Sequence, residues 1–75
     1  MPMLEIHAFW DDEAQVWVAT SDDVPGLVIE ATSIESLVER LRTIIPELME
    51  LNCGVVNQPF KFHITSERTA VAEAA

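Results

Sequence analysis

One cysteine, two glycines, no tyrosine and only four basic residues stand in a chain of 75. Each scarcity excludes something. The lone Cys53 cannot form an intrachain disulfide or a cysteine-rich zinc site. No basic residue or histidine lies near it in sequence to activate it as a nucleophile. Gly26 and Gly54 are the only glycines, so there is no glycine-rich phosphate loop. Arg40, Arg42, Lys61 and Arg68 are too few to neutralise a run of phosphates, so direct nucleic-acid binding is not expected. No stretch approaches the roughly 20 apolar residues of a membrane span. Met1-Pro2-Met3 runs into strand-like sequence without the basic and apolar regions of a signal peptide. A cytoplasmic protein without a membrane association is expected. No internal repeat is present, which excludes a solenoid.

What is abundant is acid and apolar surface. Thirteen Asp and Glu give a formal net charge of -9, and 49% of the residues are hydrophobic. The acidity favours a basic protein partner, although surface charge also serves solubility. The length implies one domain, and so small a domain buries only roughly 60% of its unfolded surface. Residues 1–66 are expected to form it, with 67–75, ERTAVAEAA, as a flexible small-residue tail.

The longest pattern is a helix. Ile34, Leu37, Val38, Leu41, Ile44, Ile45, Leu48 and Leu51 recur at the spacing of one buried helical face. Thr32 stands three residues before Glu35, the pattern of a capping box. The helix is expected to start at Thr32 or Ser33 and to end near Asn52, with Asn52 and Gly54 both suited to a left-handed terminus. Pro46 cannot donate to the carbonyl of Arg42, which predicts a kink or a new helical start.

Strands fill the rest. Met3 to Trp10 alternates, with Leu4, Ile6, Ala8 and Trp10 on one face. Gln15 to Thr20 alternates again. A loop of Asp11 to Glu13 joins the two and places Val16 and Val18 on the Leu4 face, with Phe9 and Trp17 together on the other. Ser21 to Gly26 is turn-rich, and Leu27 to Ala31 is a short third strand. Pro59 opens a fourth, in which Phe60, Phe62 and Ile64 alternate with Lys61, His63 and Thr65. The order β-β-β-α-β predicts a two-layer α+β domain. A meander is followed by a crossover that places the last strand beside the first, giving sheet order 3-2-1-4. The helix would cover Leu4, Ile6, Val16, Val18, Phe60, Phe62 and Ile64.

No catalytic constellation emerges, so no enzyme activity, metal or cofactor is expected. His7 and His63 share the outer face by parity, and with Glu5 suggest a metal or acid–base pair. Two histidines without a spacing motif are more often surface residues. Asp11, Asp12, Glu13, Asp22 and Asp23 are candidate contacts for a basic partner, set against the ordinary use of aspartate in turns. A meander puts the two acidic groups at opposite ends of the sheet, which argues against one shared Mg²⁺ site. Phe9 and Trp17 are candidates for a homodimer or higher homo-oligomer interface, or else a cross-strand pair shielded by the tail.

A family resemblance adds to this. Trp10-Asp11-Asp12-Glu13-Ala14, Trp17-Val18-Ala19, Pro25-Gly26-Leu27 and Glu30-Ala31-Thr32-Ser33-Ile34-Glu35-Ser36-Leu37 resemble the HicB family of bacterial antitoxins over about residues 3–66. Ile45-Pro46-Glu47-Leu48 is similar to a small uncharacterised branch of that group. The resemblance implies a partly RNase H-like domain that binds and blocks a small basic RNA-cleaving toxin. Many members also carry a C-terminal DNA-binding domain, for which this chain has no length, and members of the branch can lack a neighbouring toxin. The carboxylate set of RNase H does not map onto the chain, so nuclease activity is not implied. The alternative is a stand-alone homo-oligomeric domain with a structural or small-molecule-binding role.

Overall fold

Five elements succeed one another in a computed structural model that describes residues 3–74: β1 (Leu4–Asp11), β2 (Val16–Thr20), β3 (Val28–Ala31), α1 (Ile34–Cys53) and β4 (Phe62–Glu67). Met1, Pro2 and Ala75, parts of the expected domain and tail, lie outside the described residues. The sheet has the order β3-β2-β1-β4. β1 pairs antiparallel with β2 and parallel with β4, and β2 pairs antiparallel with β3. This is the α+β architecture that the element order predicts. Among the described residues no helix is long and apolar enough to cross a membrane.

The helix ends are set by local chemistry. Ser33, in extended backbone, caps α1: its hydroxyl accepts from the Ser36 amide at 3.1 Å. The Thr32–Glu35 capping box is therefore not the one used; the cap lies one residue later, with Ser36 in the third position. Replacing Ser33 with alanine should cost about 1 kcal/mol, whereas Thr32→Ala should be nearly neutral. Equal losses in urea unfolding would restore Thr32 as the cap. Gly54 ends the helix at φ 70°, where its amide donates to Glu50 O and that of Val55 donates to Met49 O. The Gly54–Glu50 bond, made with Gly54 in the left-handed region, is the αL form of helix closure. Asn52 is not left-handed as expected; it lies within α1, and its side-chain amide donates to Pro25 O at 3.1 Å. The helix runs through Pro46 without a new start.

That bond fastens the β2–β3 connection onto the end of the helix. Leu27 N–H donates to Val24 O across Pro25-Gly26, and Gly26 takes φ 81°. Proline then glycine with positive φ is a type II turn. Val24 and Leu27 are buried on either side of it.

The first hairpin differs from expectation, and the difference propagates. Asp11 pairs with Val16 and Trp10 with Trp17, so the turn holds Asp12 to Gln15 rather than Asp11 to Glu13. One extra residue reverses which side chains of β2 face the helix. Trp17 and Ala19, not Val16 and Val18, lie on the Leu4 face. Phe9 lies opposite Val18, so the expected Phe9–Trp17 pair is not formed. The physical cause is the turn itself. Asp11 Oδ1 accepts from the amides of Glu13 and Ala14 at 3.1 Å, and Asp11 O accepts from Gln15 N. Gln15 closes the turn at φ 59°. β4 also begins later than expected, at Phe62, leaving Pro59 and Phe60 outside it.

The core is wholly apolar among the described residues. Leu4, Ile6 and Ala8 of β1 and Ala19 of β2 meet Leu37, Leu41 and Ile45 of α1. Trp17, Ile29, Phe60, Phe62 and Ile64 pack around them. Leu51, on the apolar stripe by spacing, is instead exposed. The helix lies over β2 and β3 more closely than over β1 and β4. Among the described residues the other face of the sheet carries no layer.

Candidate functional site

The uncovered face follows from period-two alternation. Once Leu4, Ile6, Ala8, Trp17, Ala19 and Ile29 turn to the helix, their neighbours turn outward. Ladder register aligns Val28, Thr20, His7 and Thr65 in one row across the sheet, and Glu30, Val18, Phe9 and Glu67 in the next. Val16 and Asp11 continue the face beside the turn, and Glu5 and His63 sit at its other end. Phe9, Val16 and Val18 therefore form an apolar centre. Val28, 72% exposed, extends it toward the β3 edge.

The frame of this centre is acidic. Glu5, Asp11, Glu30 and Glu67 all belong to it, and none of the four strands contains a lysine or arginine. The histidines are the only side chains of the strands that can carry positive charge. His63 Nδ1 lies 3.0 Å from Glu5 Oε2, and His7 Nε2 lies 3.5 Å from Glu67 Oε1. The parallel β1–β4 register creates both contacts. The two histidines, which parity placed on this face, thus each meet a glutamate on the neighbouring strand. Among the described residues no group of three or more His, Cys, Asp or Glu is arranged to hold a metal ion.

The five loop carboxylates separate by what they already bind. They lie at opposite ends of the sheet, as a meander requires. Asp11 caps the turn amides. Asp12 Oδ1 accepts from the Trp10 indole at 3.2 Å and from the Gln15 side chain at 3.3 Å. At the other end β1 runs past the end of β2. There Asp23 Oδ2 accepts from Glu5 N at 2.8 Å, and the Ser21 hydroxyl donates to Glu5 O. These side chains continue the ladder where backbone pairing stops. Glu13 and Asp22 are exposed, and their carboxylates make no hydrogen bond or ion pair among the described residues. Turn and strand-end bonding therefore accounts for Asp11, Asp12 and Asp23 and leaves Glu13 and Asp22 without a local task. Asp22 also borders an open hollow of about 330 Å³ with Glu5, His7, Thr20, Ser21 and Asp23.

Trp10 and Trp17 meet edge-on with ring centroids 5.5 Å apart, on the helix side of the sheet. The Arg68 guanidinium lies 4.0 Å from the centroid of the Trp10 ring. Trp17 is thereby engaged within the fold, while Phe9 remains 38% exposed. Val16, Val18, Val28 and Glu30 are members of the exposed face that the expected strand pattern does not indicate. The signal was present in β2, where Val16 and Val18 alternate with Trp17 and Ala19, so that both parities are apolar or small. Cys53 is exposed at the end of α1.

The chain matches, over residues 3–73, the family described as "Domain of unknown function (DUF1902)". It is similar to the crystal structure of a hypothetical protein, TTHA1013, from the extremely thermophilic bacterium Thermus thermophilus. The two share 42% identity and a TM-score of 0.80, over 95% of this chain and 100% of that one. No curated protein matches it.

Proposed function

The chain belongs to the DUF1902 family, and from its exposed sheet face we propose that it is a non-catalytic protein-binding module of the HicB antitoxin kind, whose partner is a small basic RNA-cleaving protein. The observation that carries this reading is the acidic frame around an apolar centre. Phe9, Val16 and Val18 offer a surface worth desolvating, and Glu5, Asp11, Glu30 and Glu67 surround it without a strand lysine or arginine. A basic partner that ordinarily grips phosphates would meet carboxylates there. Apolar centre and charged rim is the usual division of labour in an interface. Glu13 and Asp22 extend the same potential to both ends of the sheet. The resemblance of the hairpin, the Pro25-Gly26 turn and the helix start to HicB antitoxins supplies the class of partner.

The histidines support a binding role over a catalytic one. Each faces a glutamate on an open face, and among the described residues neither hydrogen-bonds to a serine, threonine or cysteine that it could activate.

The test is co-expression with the product of the neighbouring gene, followed by affinity capture and growth rescue. Capture and rescue are expected, with association slowing as salt rises, because steering is screened over about 8–10 Å near physiological ionic strength. Val18→Lys should weaken the complex tenfold or more, roughly the scale of an interface anchor. Glu13→Gln and Asp22→Asn should lower the association rate with smaller effects on dissociation. The reading fails if no small basic protein is encoded beside this one and affinity capture from the native cell returns only the chain itself.

A further inference from the structure

The two edges of the sheet are treated differently. β3, one edge, is four residues long, and its Glu30 carbonyl accepts from the Arg40 guanidinium at 2.6 Å. A side chain thus guards that edge, the usual defence against unwanted pairing. β4, the other edge, is six residues long and free of proline. Among the described residues no side chain bonds to the backbone of Phe62, Ile64 or Ser66.

Those three residues matter because of the β1–β4 ladder. Leu4 N–H donates to Lys61 O at 2.9 Å. In a parallel pair alternate residues point their backbone groups toward the neighbour. Lys61, His63 and Thr65 therefore face β1, while Phe62, Ile64 and Ser66 present N–H and C=O away from the sheet. Beside this edge, where the helix leaves the inner side of β4 half covered, an open groove of about 480 Å³ is lined by Val38, Arg42, Phe60, Phe62, His63 and Ile64. The edge and groove together offer unpaired backbone next to apolar side chains.

We infer that β4 pairs antiparallel with β4 of a second copy of this chain, Ile64 opposite Ile64, so that two four-stranded sheets become one. The register follows from the chain. Antiparallel bonding requires the outward-facing residues to oppose one another, so even positions must meet even positions. Centring on Ile64 also sets Phe62 opposite Ser66 on both sides, with each pair exchanging both backbone bonds. The same register sets Lys61 opposite Glu67 on both sides, the arrangement that opposite charges on facing strands favour. A shift of two residues in either direction loses that match and leaves part of the free edge unpaired. On the inner side, the Ile64 side chains meet across the axis, and the two grooves become continuous. An acidic chain gains little by bringing a copy to its acidic outer face, but at this edge it supplies its own complement. A two-fold axis perpendicular to the sheet also leaves both outer faces on one side and open. The inference does not depend on the identity of any other partner.

Sedimentation of the full chain from low to high micromolar concentration reads this directly, and a dimer is expected. Ser66→Pro removes an outward N–H that β1 does not use, a site where an edge strand tolerates proline. It should give a folded monomer, with the wild-type circular dichroism retained. Lys61→Glu and Glu67→Lys should each shift the chain to monomer, and the double variant should restore the dimer. Phe9→Lys, on the outer face, should leave the dimer intact. A wild-type monomer at high micromolar concentration overturns the inference. So does a dimer that survives Ser66→Pro, a double exchange that fails to restore association, or a dimer lost with Phe9→Lys. If Ser66→Pro unfolds the chain, the charge exchange alone decides.

Discussion

Leu41→Ala is expected to lower the free energy of unfolding by about 2–5 kcal/mol, toward the upper part of that range. Leu41 is fully buried in the middle of α1, one turn from Leu37 and one turn from Ile45, both also buried. The loss has two parts: the transfer free energy of the missing methyl and methylene groups, and the cavity they leave. The second depends on whether neighbours can close in. The core opposite the helix includes Ala8 and Ala19, whose side chains are already minimal and cannot swing into the gap. A domain of this length has about 4–11 kcal/mol of stability in total, so the variant should lose a large part of it. Leu51→Ala is the control: spacing puts Leu51 on the same stripe, but it is 79% exposed, and the change should stay within about 0.5 kcal/mol. Urea unfolding of the two variants beside the wild type measures both. A near-zero effect at Leu41 would mean that another face of the helix is buried.

The contrast between those two leucines shows how far periodicity carries. Helix, strand sequence and sheet order are legible because each rests on a repeated signal. The apolar stripe from Ile34 to Leu48 is long enough to specify a buried face, and a meander followed by a crossover leaves few topologies. At Leu51 the pattern continues although the side chain is exposed. The register of the first hairpin is a different kind of quantity. It depends on whether the loop holds an odd or an even number of residues, and one backbone angle at Gln15 decides that. Left-handed backbone is ordinarily marked by glycine or asparagine. Here a glutamine takes φ 59° while its side-chain amide donates to Asp12 O at 2.6 Å. Nothing in Asp11-Asp12-Glu13-Ala14-Gln15 marks that position in advance. The exposed face follows from the same register, because the parity that half-buries Trp17 turns Val18 outward. The loop acids were visible as a group, but their division into engaged and unengaged carboxylates depends on turn geometry. The helix cap was similarly ambiguous: Thr32 and Ser33 both carry a capping hydroxyl, and the backbone places the second at the extended position.

The hairpin register has its own large consequence for stability. Trp17→Lys is expected to lower the free energy of unfolding by about 2–3 kcal/mol, below the range of about 3–5 kcal/mol for a fully buried tryptophan truncated to alanine. Phe9→Lys should stay within about 0.5 kcal/mol, as exposed surface changes generally do. Trp17 lies on the helix side of β2, half-buried, edge-on to Trp10. An edge-to-face aromatic pair is worth about 0.5–1.5 kcal/mol beyond its buried area. A lysine there forfeits that contact and the packing, and must lead its ammonium out past Trp10. Trp10 is itself held by Asp12 and lies beneath the Arg68 guanidinium. The new positive charge would therefore approach Arg68 as well. Phe9 has fewer neighbours: it lies on the open face opposite Val18, its ring centroid 6.2 Å from that of His7, and a lysine can extend into water. The alternative three-residue loop would pair Phe9 with Trp17 on the outer face, and the two substitutions would then cost similar amounts. Thermal unfolding separates the cases, since a domain of this size shifts its Tm by roughly 4–8 °C per kcal/mol. A large drop for Trp17→Lys beside an unchanged Tm for Phe9→Lys supports the four-residue turn. Equal shifts would return Val16 and Val18 to the core and move the exposed face with them.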